Sequence, residues 1–301
     1  MPMEFDLRFE PAYGTAVELM PGVSRITVNN PGPFTFYGTN SYLVGYDSLA
    51  VIDPGPDDEA HFEALMKAIA GRRVSHILIS HTHRDHSPLA ARLRDATGAV
   101  TVGAGPHRAA RALRAGETNP LDAAADLDFV PDLVVGDGDI MNGGEWEIET
   151  VLTPGHTANH AAFSLRGSNV LFSADHVMAW STSIVAPPDG AMSDYMASLE
   201  KLLGREEQVY LPGHGGLVVS PAAFIRGLKA HRKMRERAIL ERLRAGDRTI
   251  TEMVRSIYRD TDPRLHGAAG LSVLAHLEDL VAQGRAKAEP EIAIDAVYLP
   301  A

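Results

Sequence analysis

The segment SHILISHTHRDHSPL (75–89) carries four metal-capable side chains in six positions: His81, His83, Asp85 and His86. An apolar run ends at Ser80 and the polar residues follow at once. A strand end running into a loop aims alternate side chains at one point. His81 and His83 can therefore share one ion while Asp85 and His86 reach a second. Neutral imidazole and carboxylate are ligands that zinc accepts when no thiolate is on offer, and this chain of 301 residues has no cysteine. That absence also removes disulfides and thiol nucleophiles. Further candidates recur in a strand, tight turn, ligand context: His156 in TPGHTANH (153–160), Asp175 in SADH (173–176) and His214 in LPGHGG (211–216). Glycine in such turns lets the backbone fold closely around an ion. Five histidines and two aspartates make seven ligands, enough for two ions sharing one bridging carboxylate. A solvated polar loop is the plainer reading of 81–86; the apolar strand before it and the three later ligands argue against that.

These side chains need a scaffold. SYLVG (41–45), LAVID (49–53), SHILIS (75–80), AVTVG (99–103) and NVLFSAD (169–175) read as buried strands, and 145–156 and 160–165 as further ones. Residues 59–70 place Phe62, Leu65, Met66 and Ile69 on one helical face, and 87–98 repeat the pattern with Gly98 as its C-cap. Strands alternating with helices predict an α/β layered domain. From Phe224 the character changes to long helix: 224–246 is one amphipathic pattern, Thr249 and Glu252 form a capping box before a helix over 251–258, and a third helix covers 267–283 before a turn into short strands. That outline is winged-helix-like. The expected division is 1–222 for a catalytic domain and 223–301 for the helical one. The 45% hydrophobic content suffices for a sizeable core, and the length suits one large domain or two moderate ones. The net charge of −11 excludes a basic surface over the whole protein, although residues 228–289 carry +4, which leaves −15 elsewhere. The opening MPMEFDLRFEPAYG lacks a basic stretch followed by an apolar one, and no apolar run reaches a membrane span. A soluble, cytoplasmic protein without membrane contact is expected.

The spacing H-x-H-x-D-H, followed by the isolated His156, Asp175 and His214, resembles the metallo-β-lactamase superfamily over residues from about 36 to 220. The resemblance implies an αββα sandwich. It implies one ion bound by His81, His83 and His156, a second by Asp85, His86 and His214, and Asp175 bridging both. A hydroxide held between the two zinc ions would be the nucleophile, with Asp85 as proton acceptor or shuttle. Iron or manganese also suits a His/Asp set. VIDPGP (51–56) looks like the family's early Asp motif, which makes Asp53 a support behind the ligands. His83 stands where di-iron electron-transfer members carry Glu, and no Cys ligand is present as in antibiotic-degrading members. FYGTNSYLVG, SHTHRDHS, TPGHTANH, the stretch 173–203, YLPGHG and the winged-helix-like tail together resemble the β-lactamase-like protein 2 group over nearly the whole chain. Relatives in that group include a mitochondrial endoribonuclease, and polyketide thioester hydrolases are similar. Glyoxalase II shares the metal motifs but has a different tail.

Other residues carry plainer cases. His160, four residues after His156, is either a site hydrogen-bonder or a packed histidine. Tyr195, at the start of a helix, is either a donor to a substrate oxygen or a packing residue. His176 reads as structural or pocket-lining, and Asn40 as a strand-turn contact or a substrate contact. Trp180, Thr182 and Ser183 are pocket candidates, and loops such as 104–130 and 178–194 are expected to build that pocket. His61, His76, His107, His231, His266 and His276 read as ordinary. The basic run from Lys229 to Arg244, interleaved with Glu236 and Glu241, reads as a solvated helix face or else as an RNA-facing strip.

Three functions compete. The first is zinc-dependent hydrolysis of a carboxylic acid derivative, a thioester, lactone or amide of β-lactam type, on a small or carrier-bound substrate. The alternative is a metal-dependent endoribonuclease on single-stranded RNA; the +4 tail favours it and the −15 elsewhere opposes it. The third is a non-catalytic module with structural metal, which seven ligands argue against because four would close such a site. A homodimer is left open.

Overall fold

The computed structural model describes residues 4–114, 117–119 and 121–301. Two sheets face each other. The first has seven strands in sequence order: β1 (Val17–Met20), β2 (Val23–Thr27), β3 (Asn40–Val44), β4 (Ser48–Ile52), β5 (Arg73–Ile79), β6 (Val100–Gly103) and β7 (Leu133–Val134). β1 to β4 pair antiparallel, and β4 to β7 pair parallel. Parallel pairing demands crossovers, supplied by α1 (Glu59–Ile69) and α2 (Leu89–Thr97). The second sheet joins β8 (Ile140–Asn142), β9 (Glu147–Leu152), β10 (Ala161–Leu165), β11 (Val170–Ala174), β12 (Val209–Pro212) and β13 (Val218–Val219). Its one parallel pair, β11 with β12, is bridged by α3 (Met192–Leu203).

Between the sheets Tyr42, Ile52, Leu78, Phe163, Phe172 and Leu211 form a closed apolar layer. Phe163 and Phe172 are cross-strand partners and fully buried; truncating either to Ala costs about 3–5 kcal/mol. On the outer face of the first sheet, Leu65 and Ile69 of α1 and Leu93 of α2 pack against Leu49, Val51 and Ile77. On the outer face of the second, Tyr195, Leu199 and Leu202 of α3 pack against Val151 and Leu171. The αββα sandwich expected from the resemblance is therefore present.

Three helices follow: α4 (Pro221–Ala245), α5 (Ile250–Ile257) and α6 (His266–Ala282), then a hairpin of β14 (Ala286–Glu289) and β15 (Val297–Pro300). The Thr249–Glu252 capping box forms in both directions. These elements own a separate core of Leu243, Met253, Val273, Leu277 and Tyr298. α4 belongs to both cores. Its first turns bury Ile225 and Leu228 on the sandwich, and its last bury Ile239 and Leu243 in the winged-helix unit. The expected division at 222/223 falls inside its first turn.

Candidate metal centre

Every candidate ligand leaves the sandwich along one edge. β5 ends at Ile79 and runs through Ser80 into His81; β11 ends at Ala174 beside Asp175; β12 ends at Pro212, two residues before His214; His156 lies on the β9–β10 connection. Gly213 is needed for close approach, since a Cβ there would lie 2.4 Å from Asp175 Oδ1. Gly155, with φ +137°, packs on the backbone of Tyr195, where a Cβ would meet Cα at 2.3 Å.

The seven side chains gather into two clusters. His81, His83, His156 and Asp175 place one ligand atom each within 4.8 Å of one another, and Asp85, His86 and His214 do the same. In the first, His83 Nδ1 lies 3.0 Å from His81 Nε2 and 3.1 Å from His156 Nε2. In the second, Asp85 Oδ2 lies 3.3 Å from both His86 Nε2 and His214 Nε2. Asp175 touches both: Oδ2 is 3.6 Å from His156 Nε2 and 3.3 Å from His214 Nε2, and Oδ1 is 3.5 Å from His86 Nε2. Donors around a tetrahedral zinc at 2.0–2.1 Å stand about 3.3 Å apart.

Outward hydrogen bonds settle which nitrogen faces in. His156 Nδ1 donates to the Ile184 carbonyl at 2.7 Å, and His214 Nδ1 to the Gly38 carbonyl at 3.2 Å. A carbonyl can only accept, so both Nε2 atoms carry lone pairs when the rings are neutral. His86 Nδ1 donates to Asp53 Oδ2 at 3.0 Å. Ser80 Oγ donates to the same oxygen at 2.6 Å and so accepts from His81 Nδ1 at 3.0 Å. Four lone pairs and two carboxylates thus converge, while His86 Nε2, His83 Nε2 and Asp175 Oδ1 are buried without a partner. Such a set is repulsive unless a cation or protons join it. The residues present fit a pair of divalent ions.

Burial, then the neighbouring His156, pushes His83 down to about 3; burial and the other rings hold His81 well below the ordinary range. Burial opposes charge on His214 and His86 too, but the facing carboxylates outweigh it. His214 rises to about 9, and His86 is also held well above its usual value. The same attractions outweigh burial at Asp85 and Asp175 and hold both below the ordinary carboxylate range.

Asp53 stands behind the ligands. It follows β4 in a left-handed conformation (φ +49°), costing about 1 kcal/mol for a non-glycine residue, and is held there by Ser80 N–H at 2.8 Å together with Ser80 Oγ and His86. His160 is buried and bonds Thr153 Oγ1 at 2.8 Å. Tyr195 is fully buried; its hydroxyl donates to the His176 carbonyl at 3.1 Å and lies 3.3 Å from Ser183 Oγ. Asn40 joins the sheets at the His214 turn, donating to the carbonyls of Pro212 and Gly215. Trp180 stacks on Phe36 at 4.8 Å beside this turn. Of the pocket loops, Ala115, Gly116 and Pro120 lie outside the described residues.

Three supports went unrecognised in the sequence. Thr39 Oγ1 donates to Asp85 Oδ2 at 3.1 Å. His107, read as ordinary, bonds Thr82 Oγ1 at 3.0 Å between two ligands, with Asn159 on the same oxygen. The third is the basic run on α4, where Lys233, Arg237, Glu241 and Arg244 form the expected solvated face but Arg232 and Glu236 turn inward. Lys229 pairs with Glu200, Lys233 and Arg285 with the buried Glu236, Arg242 with Asp247, and Arg232 is only 4% exposed.

The description of the metallo-β-lactamase superfamily matches residues 34–214, and that of the β-lactamase-associated winged helix domain matches 249–293. The chain belongs to the metallo-β-lactamase superfamily. As a member, it is 28% identical over 291 residues to the β-lactamase-like protein 2 homolog of Drosophila melanogaster, which covers 89% of this chain and 92% of that one. The atrochrysone carboxyl ACP thioesterase of Aspergillus fumigatus is 27% identical over 233 residues, 74% of this chain and 65% of its own. Among solved structures, a metallo-β-lactamase family protein of Thermus thermophilus superposes with a TM-score of 0.76 at 24% identity, over 94% of this chain and 100% of that one. A β-lactamase domain protein of Burkholderia ambifaria gives 0.78 at 23% identity, over 97% and 95%. No helix of the described residues is long and apolar enough to cross a membrane.

Proposed function

We propose that this superfamily member is a binuclear zinc hydrolase of a carboxylic acid derivative, with a small or carrier-bound thioester, lactone or amide as substrate. The carrying observation is the pair of buried clusters whose lone pairs converge on two points, with Asp175 reaching both. His81, His83 and His156 would hold one ion, Asp85, His86 and His214 the other, and Asp175 both. When bound, such ions supply a deprotonated water at neutral pH and polarise the scissile carbonyl. The chain's own residues do the rest. The rings stay aimed through Ser80, Asp53, Ile184 and Gly38. Asp85, with 24% of its side chain exposed, is the more open carboxylate of the two and can pass a proton to solvent, oriented by Thr39. The thioesterase among the similar proteins supports an acyl substrate. Lys229, Lys233 and Arg242 of the α4 run already pair with Glu200, Glu236 and Asp247, which leaves fewer of its cations for the phosphate contacts that the RNA reading needs.

The test joins metal analysis with a panel on one preparation: a thioester, a lactone, a chromogenic β-lactam and a fluorescent single-stranded RNA, with chelator and with Asp85→Ala. Chelator-sensitive acyl turnover restored by Zn²⁺, with intact RNA, is expected. RNA cleavage lost in Asp85→Ala would replace this reading with the nuclease; a preparation active without metal would sink both.

A further inference from the structure

We propose that Arg232, on the α4 helix, is a positioning residue for the first ligand cluster, acting through the backbone of Ser183 and Ile184. The inference rests on the metal-binding reading above. Ser183–Ile184 is the hub behind two ligands that lie far apart in sequence. The Ile184 carbonyl accepts from His156 Nδ1. Ser183 Oγ lies 2.5 Å from the Asp175 carbonyl and 2.8 Å from that of His176. One dipeptide therefore sets both the ring direction of His156 and the turn that presents Asp175.

Arg232 anchors this dipeptide from the other domain. Its Nη2 donates to the Ser183 carbonyl, and its Nη1 lies 3.5 Å from Ser272 Oγ of α6. The guanidinium sits 5.1 Å over the Tyr195 ring, and the Tyr195 hydroxyl returns to Ser183 Oγ at 3.3 Å. Ring and cation thus grip Ser183 from two sides. Burying an arginine is costly, and the partners found for this one are a carbonyl and a hydroxyl, with Nε unpartnered. A methionine or leucine would continue the stripe of Ile225, Leu228, Ile239 and Leu243 on α4 without that cost. The planar fork, with several donors in one plane, spans the Ser183 carbonyl and α6 in a way an apolar side chain cannot. The winged-helix unit is in this way built into the geometry of the metal centre.

The experiment is zinc titration of folded apoprotein against a chromophoric chelator, with near-ultraviolet circular dichroism as the check on folding. It is run in wild type and in a His214→Ala background, chosen to weaken the second cluster so that the first dominates the titration. Arg232→Met is expected to weaken zinc binding in that background by about tenfold or more, the loss typical when a partner behind a ligand is removed. Arg232→Lys, which retains one donor, should recover part of it. Arg235→Met is the control for loss of an α4 arginine: Arg235 bonds the Ile257 carbonyl and stacks on Tyr258, away from Ser183, and should leave zinc affinity unchanged. If Arg232→Met fails to fold, Tyr195→Phe carries the test, with an expected loss of a few-fold. Wild-type affinity in every folded Arg232 and Tyr195 variant would overturn the proposal. Failure of the wild-type protein to take up zinc would overturn the metal reading itself, and the proposal with it.

Discussion

The two ligand clusters are built from the same residue types and hold protons oppositely. The first faces three histidines with one carboxylate, so His81 and His83 stay neutral. In the second, His86 and His214 face Asp85 and Asp175, and without an ion they are held protonated. Burial is nearly equal in the two, so the count of facing carboxylates decides. A cation entering the second cluster must displace protons; one entering the first need not.

Four measurements break or sharpen this contrast. Asp175→Ala removes the one residue that both clusters share, and hydrolysis should fall by about 10³-fold, several kcal/mol of lost charge stabilisation; a loss confined to one ion in metal analysis would show that Asp175 serves a single cluster. The next effect concerns pH. The folded pKa of His214 is raised from the ordinary 6.5 to about 9, so its contribution to apoprotein stability is complete below pH 6.5 and disappears as pH rises through 9. His83, held near 3, acts in the opposite sense: its contribution is present above 6.5 and is lost as pH falls toward 3. Chemical denaturation of the apoprotein should show a fall between pH 6.5 and 9 of about 3 kcal/mol from His214, with His86 acting in the same direction, and the zinc-loaded protein should not show it.

Asp53→Asn comes third. It weakens the acceptor behind His86 while leaving Ile184 behind His156, so affinity for one ion should drop by about 10–100-fold and the other should hold. Equal weakening of both ions would mean that Ser80 passes the change on to His81. The smallest effect belongs to the second bridge between the domains. Arg111 and Arg114 both reach Glu278 on α6, and Arg111 forks onto Glu117. These groups remain partly exposed, so Glu278→Gln should cost about 1 kcal/mol or less in thermal unfolding and leave zinc binding intact. Loss of an ion in that variant would show that this bridge, like Arg232, supports the metal centre.

Much of this was legible along the chain. HTHRDH after an apolar run, and single candidate ligands at strand ends, come together in space because a strand end fixes where the next side chains point. Asp53 was reachable through VIDPGP. Gly38 and Ile184 were not, since a carbonyl acceptor carries no side-chain signature. Arg232 did leave a trace. Ile225, Leu228, Arg232, Glu236, Ile239 and Leu243 recur at helical spacing, and all are buried. Two charged residues on an apolar stripe are a sign of buried partners rather than of a solvated face.

The residue types and their local spacing determined the candidate ligand set, the alternation of strands and helices, the capping box at Thr249 and the exclusion of thiol chemistry. Short-range stereochemistry and hydrophobic periodicity are enough for those. Only the tertiary structure decided which nitrogen of each ring faces inward, which histidines are protonated without an ion, and that a helix from the second domain grips the chain behind His156 and Asp175. Those properties depend on hydrogen bonds and charges between residues tens to hundreds of positions apart, and distances of that kind exist only once the chain has folded.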